Sequence, residues 1–329
     1  MQSKEVHLIE RPQGLPTITQ FRIAETEVAD PAEGEVLVKN IYLSVDPAMR
    51  PRLAGPTALN EAMMGGAIGR VLKSRSPLFR EGDIVESMYG FREYFISDGK
   101  ALSKLEADGM PLVAYMSVLG LTGLTAYGGL LVIGALKEGE NVFVSAAAGA
   151  VGSVAAQIAK IKGCYVIGSA GSDEKCRWLK DDLGLDAVIN YKKGELRTSL
   201  KAAAPKGIDV YFENVGGEHL NAALPRMNAL GRIAVCGMIS AYNNFGAVSE
   251  PVTTLSNMIY NRVTMRGFVF YEFESKRAQF LADMKGWIKA GRVKYRTTIL
   301  RGIEQAPAAL IGLFTGINTG KMVVQLAEG

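Results

Sequence analysis

Apolar and polar residues alternate over 35–43, with Val36, Val38, Ile41 and Leu43 at the apolar positions, and this period of two predicts a half-buried strand. Similar short signals recur at 69–73, 83–88 and 92–96, separated by turn residues at 31–34 and 81–83, as in a small β-rich domain. After Lys137 the rhythm changes. Apolar runs at 141–146, 164–169, 187–190, 209–214, 232–237 and 264–270 read as strands, and helical patterns at 151–162, 173–183, 195–203 and 218–227 follow the first four. Six strands with crossovers predict an α/β fold with a doubly wound parallel sheet of the Rossmann type. A long helix is expected at 275–290, where Phe280, Met284, Trp287 and Ile288 share a face, and the tail over 295–326 reads as short strands ending at 321–326. The tail is expected to pair back onto the first domain. The division is then 1–118 for the first part of a catalytic domain, 119–292 for the dinucleotide-binding domain, and 293–329 for the return.

Residues 109–136 carry no charge, longer than the roughly 20 residues that span a bilayer. Pro111, six glycines, and Ser117, Thr122 and Thr125 interrupt the stretch, so it reads as two short buried helices broken near 120–123. No partner span occurs elsewhere, and no membrane association is expected.

Composition narrows the chemistry. The 329 residues include 37 Lys and Arg against 33 Asp and Glu, a net charge of +4 without a concentrated basic cluster, so no nucleic acid is expected as a partner. There are two histidines, His7 and His219, and three cysteines, Cys164, Cys176 and Cys236, with no Cys-x-x-Cys pair. Zinc sites draw three or four ligands mainly from these residue types, so no metal is expected. Scattered cysteines and the lack of a long apolar core behind a basic flank in the first ten residues predict a reducing, cytoplasmic location.

The strand over 141–146 runs into Ala146-Ala147-Ala148-Gly149-Ala150-Val151-Gly152, where a helix starts. This matches the dinucleotide fingerprint with Ala147 at the first glycine position: Gly149 lets the backbone approach a pyrophosphate, and Gly152 lets the helix pack against the strand. The helix N-terminus adds free N–H groups and partial positive charge. After the second strand, Gly171-Ser172-Asp173-Glu174-Lys175 is small and neutral at its tip, with Lys175 nearby, which favours NADPH over NADH. Asp173 and Glu174 suit the first turn of the next helix, and Lys175 can also be read as an ordinary solvated lysine.

On these and further motifs the chain resembles the zinc-independent medium-chain dehydrogenase/reductases, within them the prostaglandin reductases and alkenal double-bond reductases. The motifs are Ser44-Val45-Asp46-Pro47-Ala48-Met49-Arg50, Gly123-Leu124-Thr125-Ala126-Tyr127, the 146–153 loop, Asn190-Tyr191-Lys192, Glu213-Asn214-Val215-Gly216-Gly217 and the run 236–243. The resemblance implies a Rossmann domain inserted in a β-rich, GroES-like catalytic domain, and NADPH as cofactor. It also implies that Gly149, Ala150, Val151 and Gly152 hold the pyrophosphate and that Lys175 and Tyr191 surround the 2′-phosphate. Asn214, Cys236, Gly237, Met238, Ile239, Ser240, Ala241, Tyr242, Phe268, Val269, Phe270 and Asn318 would line the nicotinamide side. Tyr191 also reads as a strand-end aromatic, and Asn318 beside glycine as a turn residue. Thr122 stands where relatives carry proline, and Ala48 where an aromatic is common, a difference that bears on substrate range.

Reduction of a conjugated C=C needs a positioned hydride donor, stabilisation of the developing enolate and a proton; neither a metal nor a strong base is required. Tyr242 is the candidate catalytic residue, a neutral donor at pH 7 given an ordinary pKa of about 10; it also reads as a wall of the cofactor pocket. The expected substrate is an α,β-unsaturated ketone or aldehyde. Quinone reduction on the same fold and a non-catalytic NADPH-binding redox sensor are the alternatives. A homodimer is expected, with the strand over 264–270 at its interface.

Overall fold

The computed structural model describes residues 1–244 and 251–328, and the chain divides into two compact units. The first comprises Met1–Met116, Thr297–Asn318 and residues from Met322 onward; the second comprises Ser117–Arg296 and Thr319–Lys321. The divide therefore falls at 116/117 and 296/297, and a three-residue piece of the tail belongs to the second unit, a detail absent from the linear division at 118 and 292.

The first unit opens with β1 (Gln2–Leu8) antiparallel to β2 (Phe21–Glu27). It continues through β3 (Val36–Ser44), the short helix α1 (Met49–Leu53), β4 (Ala67–Ser74), β5 (Ile84–Ser87), β6 (Tyr94–Ser97), β7 (Ser103–Lys104) and α2 (Leu112–Tyr115). β3 pairs antiparallel with both β4 and β6. Its register slips between Asn40 and Tyr42, and an extra residue in a strand exchanges its two faces. That is why the apolar positions change from even numbers, Val36 and Val38, to odd ones. Val36 and Val38 pack with Val71, Val85 and Phe95 in one core, whereas Leu43 joins Val6, Leu8 and Phe91 in another.

In the second unit, α3 (Leu121–Gly128) continues into one wider turn over Gly129–Ile133. The expected break falls at Gly120 but not at Gly123, which lies inside the helix: a Cβ there would stand 2.0 Å from the Val118 carbonyl oxygen, so this glycine serves close packing. Among the described residues no helix is long and apolar enough to cross a membrane. The sheet follows, with β8 (Asn141–Val144), α4 (Ala150–Ile161), β9 (Tyr165–Ala170), α5 (Asp173–Arg177), β10 (Ala187–Asn190), α6 (Leu196–Ala203), β11 (Ile208–Glu213), α7 (Gly217–Ala223), β12 (Met227–Val235), α8 (Asn257–Asn261) and β13 (Thr264–Gly267). The spatial order is β10-β9-β8-β11-β12-β13 with parallel pairing throughout, the doubly wound arrangement expected from the alternating pattern.

Three element boundaries differ from expectation. β12 starts at Met227, the last residue of the helix expected over 218–227. β13 stops at Gly267 rather than 270, because Phe270–Lys276 coils into tight turns leading into α9 (Arg277–Lys289). Between β14 (Thr297–Arg301) and β15 (Lys321–Gln325), the tail forms the ten-residue helix α10 (Ala306–Thr315) instead of strands alone. Pro307 in its first turn and Gly316 in the left-handed conformation bracket it. Pro307 and Gly312 are buried along with Ala306, Ala309, Leu310 and Leu313, and no residue from Ala306 to Phe314 is exposed, so no polar face marks a helical period in the sequence. β15 pairs antiparallel with β3 and so returns the tail to the first sheet.

Candidate functional site

β8 and β11 are neighbours in the sheet although three strands apart in the chain, so the strand order reverses between them. The crevice beyond their C-terminal ends is where ligands bind in open α/β sheets. The loop after β8 is built for close approach. Ala146 turns the chain with φ 47°, Ala147 N–H donates to the Ser169 carbonyl (2.8 Å), and Gly149 caps α4 with extended backbone. A Cβ on Gly152 would lie 2.4 Å from the Ala146 oxygen and 2.9 Å from the Ala147 Cα, so the first turn of α4 packs onto the strand end only as glycine. Ala150 and Val151 are the first two helical residues, and their N–H groups point out of the helix end, as the first turn of any helix requires. Gly320 of the tail donates to the Ala148 carbonyl (2.8 Å) and braces the loop from its other side.

At the end of β9 and β10, Tyr191 places its hydroxyl over Gly171, where a Cβ would come within 2.9 Å of it. Lys175 is half-buried here. Burial, then the neighbouring positive charge of Lys192, holds its ammonium below the ordinary lysine value. The nearby acid is engaged elsewhere: Asp173 accepts from Asn190 Nδ2 (2.7 Å) and pairs with Lys193 (2.5 Å), while Ser172 caps α5 through the Lys175 N–H (3.3 Å). Two mutually repelling ammonium groups, a hydroxyl and a small neutral strand tip suit a dianion such as a phosphate. They do not suit a neutral ribose edge held by a carboxylate.

The third cluster lies beyond β11 and β12. Asn214 donates through its backbone N–H to Ser145 Oγ (2.8 Å) and through Nδ2 to the Ser145 carbonyl (2.7 Å). The Glu213 carbonyl accepts from Cys236 (2.8 Å) and Gly237 (3.1 Å), the Asn214 carbonyl from Ile239 (3.2 Å), and the Val215 carbonyl from Ser240 N–H (3.1 Å) and Oγ (2.6 Å). These bonds hang the tight turn Ile239–Asn244 from β11. Ala241 closes the turn by donating to Met238 (2.9 Å), and the Met238 N–H in turn donates to the Tyr242 hydroxyl oxygen (3.3 Å). Burial raises the Tyr242 hydroxyl pKa and pushes the Cys236 thiol up to about 12, with Glu213 adding to the latter. Both stay protonated at neutral pH: Tyr242 is a neutral donor and Cys236 a poor nucleophile.

Three of the remaining candidates follow β13. Phe268 is buried edge-on to Phe212 (6.1 Å between ring centres) and beside Phe273 (5.6 Å), so it packs the core behind Gly129. Val269 precedes the following tight turn and donates to Glu272 (2.9 Å), and Phe270 contacts Tyr271 edge-on. Asn318 lies between the Gly316 cap and Gly320, the last residue grouped with the first unit before Thr319–Lys321. His219 is buried against Ser169 (3.0 Å) and stacked beside Phe143; burial lowers it to about 4, so it is a neutral core residue. Arg50 is buried too, its guanidinium donating to the carbonyls of Gly14 (2.6 Å) and Pro12 (3.3 Å).

Models of two protein families match the chain, "N-terminal domain of oxidoreductase" over residues 4–105 and "Zinc-binding dehydrogenase" over 150–285. Prostaglandin reductase 1 of Rattus norvegicus is 43% identical, covering 99% of both chains. The chain belongs to the medium-chain dehydrogenase/reductases, in the prostaglandin and alkenal reductase branch. A 2-alkenal reductase (NADP(+)-dependent) of Nicotiana tabacum is 41% identical over 99% of this chain and 98% of its own. The crystal structure of CurA in complex with NADPH from Vibrio vulnificus superposes with a TM-score of 0.94 at 39% identity, over 99% of this chain and 100% of that one. Although the second family model is named for zinc, among the described residues no three His, Cys, Asp or Glu side chains gather as a metal site requires.

Two residues of the third cluster escaped sequence reasoning. Ser145 and Glu213, each fully buried, end the apolar runs Val142-Phe143-Val144 and Val210-Tyr211-Phe212. A polar residue closing a wholly buried strand was the available signal, because burying it unpaired is costly.

Proposed function

We infer that this protein reduces the C=C bond of α,β-unsaturated ketones or aldehydes with NADPH. The observation that carries this reading is the likeness, over 99% of the chain, to the 2-alkenal reductase (NADP(+)-dependent). The geometry supports it. In this reading Gly149, Ala150, Val151 and Gly152 offer the first turn of α4 to the pyrophosphate. Lys175 and Tyr191 hold the 2′-phosphate, and Lys192 adds a second positive charge to their surroundings. Asn214, Gly237, Met238, Ile239, Ser240 and Ala241 form the wall at the nicotinamide end. Cys236 contributes to that wall as a half-buried thiol, and Phe268, Val269 and Phe270, which follow β13, are assigned to the same side by the family resemblance.

When bound, NADPH supplies the hydride that is transferred to the β-carbon. The chain's own contribution is position and a neutral donor. Tyr242 is held protonated by burial, and its oxygen is fixed by the Met238 N–H, which leaves the hydroxyl proton free to support charge as it moves onto the carbonyl oxygen.

The sheet edge supports a homodimer. β13 is exposed along its whole length, and the segments before and after it carry exposed Ile259 (76%), Tyr260 (81%) and Tyr271 (65%). An unpaired edge flanked by apolar side chains is suited to pair with a second copy. A cytoplasmic location agrees with three free cysteines.

The test is NADPH consumption against enones, enals, quinones and simple ketones, with products identified. Saturated carbonyls from the first two classes are expected. Hydroquinone as the main product would support quinone reduction instead, and tight NADPH binding with no acceptor reduced would support a sensor.

A further inference from the structure

Glu213 has no place in the chemistry described so far, yet it is a carboxyl group with no exposed surface at the ligand edge of the sheet. Its Oε1 accepts from Ser145 Oγ (2.7 Å) and from the Val215 N–H (2.6 Å). No lysine or arginine pairs with it among the ion pairs of the described residues. Its other oxygen, Oε2, and the Tyr211 hydroxyl are both sealed from water without a well-formed hydrogen bond. Burial raises the carboxyl pKa, opposed by the hydrogen bonds it receives. A buried, unpaired acid is costly to keep. Its contacts show what it accomplishes there.

Ser145 is the common partner: the hydroxyl that donates to Glu213 also accepts the Asn214 N–H. The side chain of Glu213 thus sets the conformation of 213–215 from both directions, through Ser145 on the neighbouring strand and through Val215 two residues ahead. That backbone carries the bonds from Cys236, Gly237, Ile239 and Ser240, and so suspends the turn whose Met238 N–H fixes Tyr242. We propose that Glu213 is a positioning residue for the reduction, acting through Ser145 and the 213–215 backbone to place the Tyr242 hydroxyl, without itself touching cofactor or substrate.

This inference rests on the reductase reading, and two measurements separate their fates. The first is kcat and KM for NADPH with an enone for Glu213→Ala, Glu213→Gln and Ser145→Ala, each alone and combined with Tyr242→Phe. Glu213→Ala is expected to lower kcat at least tenfold with KM for NADPH changed less than threefold. Glu213→Gln, which keeps an acceptor oxygen for Ser145 and Val215, is expected to recover kcat to within about threefold of the parent. In the Tyr242→Phe background the further loss from Glu213→Ala should be under twofold, because residues acting through one group are not additive. The same fold-loss in both backgrounds, or Gln as poor as Ala, overturns the proposal. Should Glu213→Ala fail to fold, Ser145→Ala carries the same cycle. The second measurement is amide hydrogen exchange in the NADPH-free protein. Exchange at Cys236, Gly237, Ile239 and Ser240 should quicken at least tenfold in Ser145→Ala while the β8 and β9 amides hold; unchanged or uniformly quickened exchange contradicts the proposal. This readout needs no activity, so a parent that reduces no enone would sink the functional reading and leave the positioning claim to be decided here.

Discussion

The crevice along the sheet has two ends made in opposite ways. Beside β9 and β10 the side chains are charged and partly in water: Lys175 and Lys192 repel one another, and Asp173 is clamped by Asn190 and Lys193. Beyond β11 and β12 the reacting-end groups are half-buried and neutral, with Tyr242 and Cys236 kept protonated and the turn that follows held by backbone hydrogen bonds. Each construction suits a different partner. A dianion supplies the compensating charge for two lysines, and water tolerates them before it arrives. A carbonyl oxygen gaining charge during a reaction is served better by a fixed neutral donor that need not reorganise.

The contrast can be broken at several points. Gly152→Val should have the largest effect, since the new side chain meets the Ala146 backbone that both ends share. The expected loss is about 3 kcal/mol of folding stability, at the upper end of the usual overpacking cost. Denaturant unfolding reads it, and an unchanged midpoint would mean that the loop has room. At the charged end, Lys175→Ala removes a charge-assisted hydrogen bond of about 1.5–3 kcal/mol, so NADPH affinity should fall by roughly 10- to 150-fold while NADH is scarcely affected. Equal losses for both cofactors would contradict the phosphate assignment. At the neutral end, Tyr242→Phe should lower kcat about tenfold, the value of one neutral hydrogen bond, with NADPH affinity nearly intact.

A pH titration sharpens the same comparison. Lys175 is depressed below the ordinary lysine value, so its charge is lost earlier than usual as pH rises. The second ionisation of a phosphate lies near pH 6. The preference for NADPH over NADH should therefore be greatest above about pH 6 and decline on the alkaline side, before an ordinary lysine would titrate. Competitive binding of the two nucleotides across that range checks it; a flat ratio would deny Lys175 the role. The smallest effect is expected for Asp173→Asn. Its carboxylate is already paired with Lys193 at the surface, and the NADPH-to-NADH preference should change less than about twofold.

Much of this was legible in the chain, for identifiable reasons. Periodicity found the parallel sheet because its strands are continuous apolar runs between amphipathic helices, and the 146–152 loop stood out because glycine spacing is dictated by backbone approach. Asp173 stands in the first turn of α5, as the sequence predicts, with Ser172 before it as the helix cap. What the sequence hid depended on distant partners. α10 is buried around most of its surface, so no helical period shows. β1 and β2 form a two-stranded sheet of their own, and their mixed exposure breaks strict alternation. Phe268 sits in a strand-like apolar run, yet the aromatic rings of Phe212 and Phe273 draw it into the core. Glu213 stands in a motif, but its partner shows only once β8 places Ser145 against it.

The central claim is that this chain delivers a hydride to the β-carbon of a conjugated carbonyl. Turnover of an enone with NADPH deuterated at the transferable C4 position, followed by NMR of the product, tests it most directly. The account requires a saturated ketone with deuterium on the β-carbon. Deuterium on the carbonyl carbon of an allylic alcohol, or an unreacted enone beside oxidised cofactor, would contradict it.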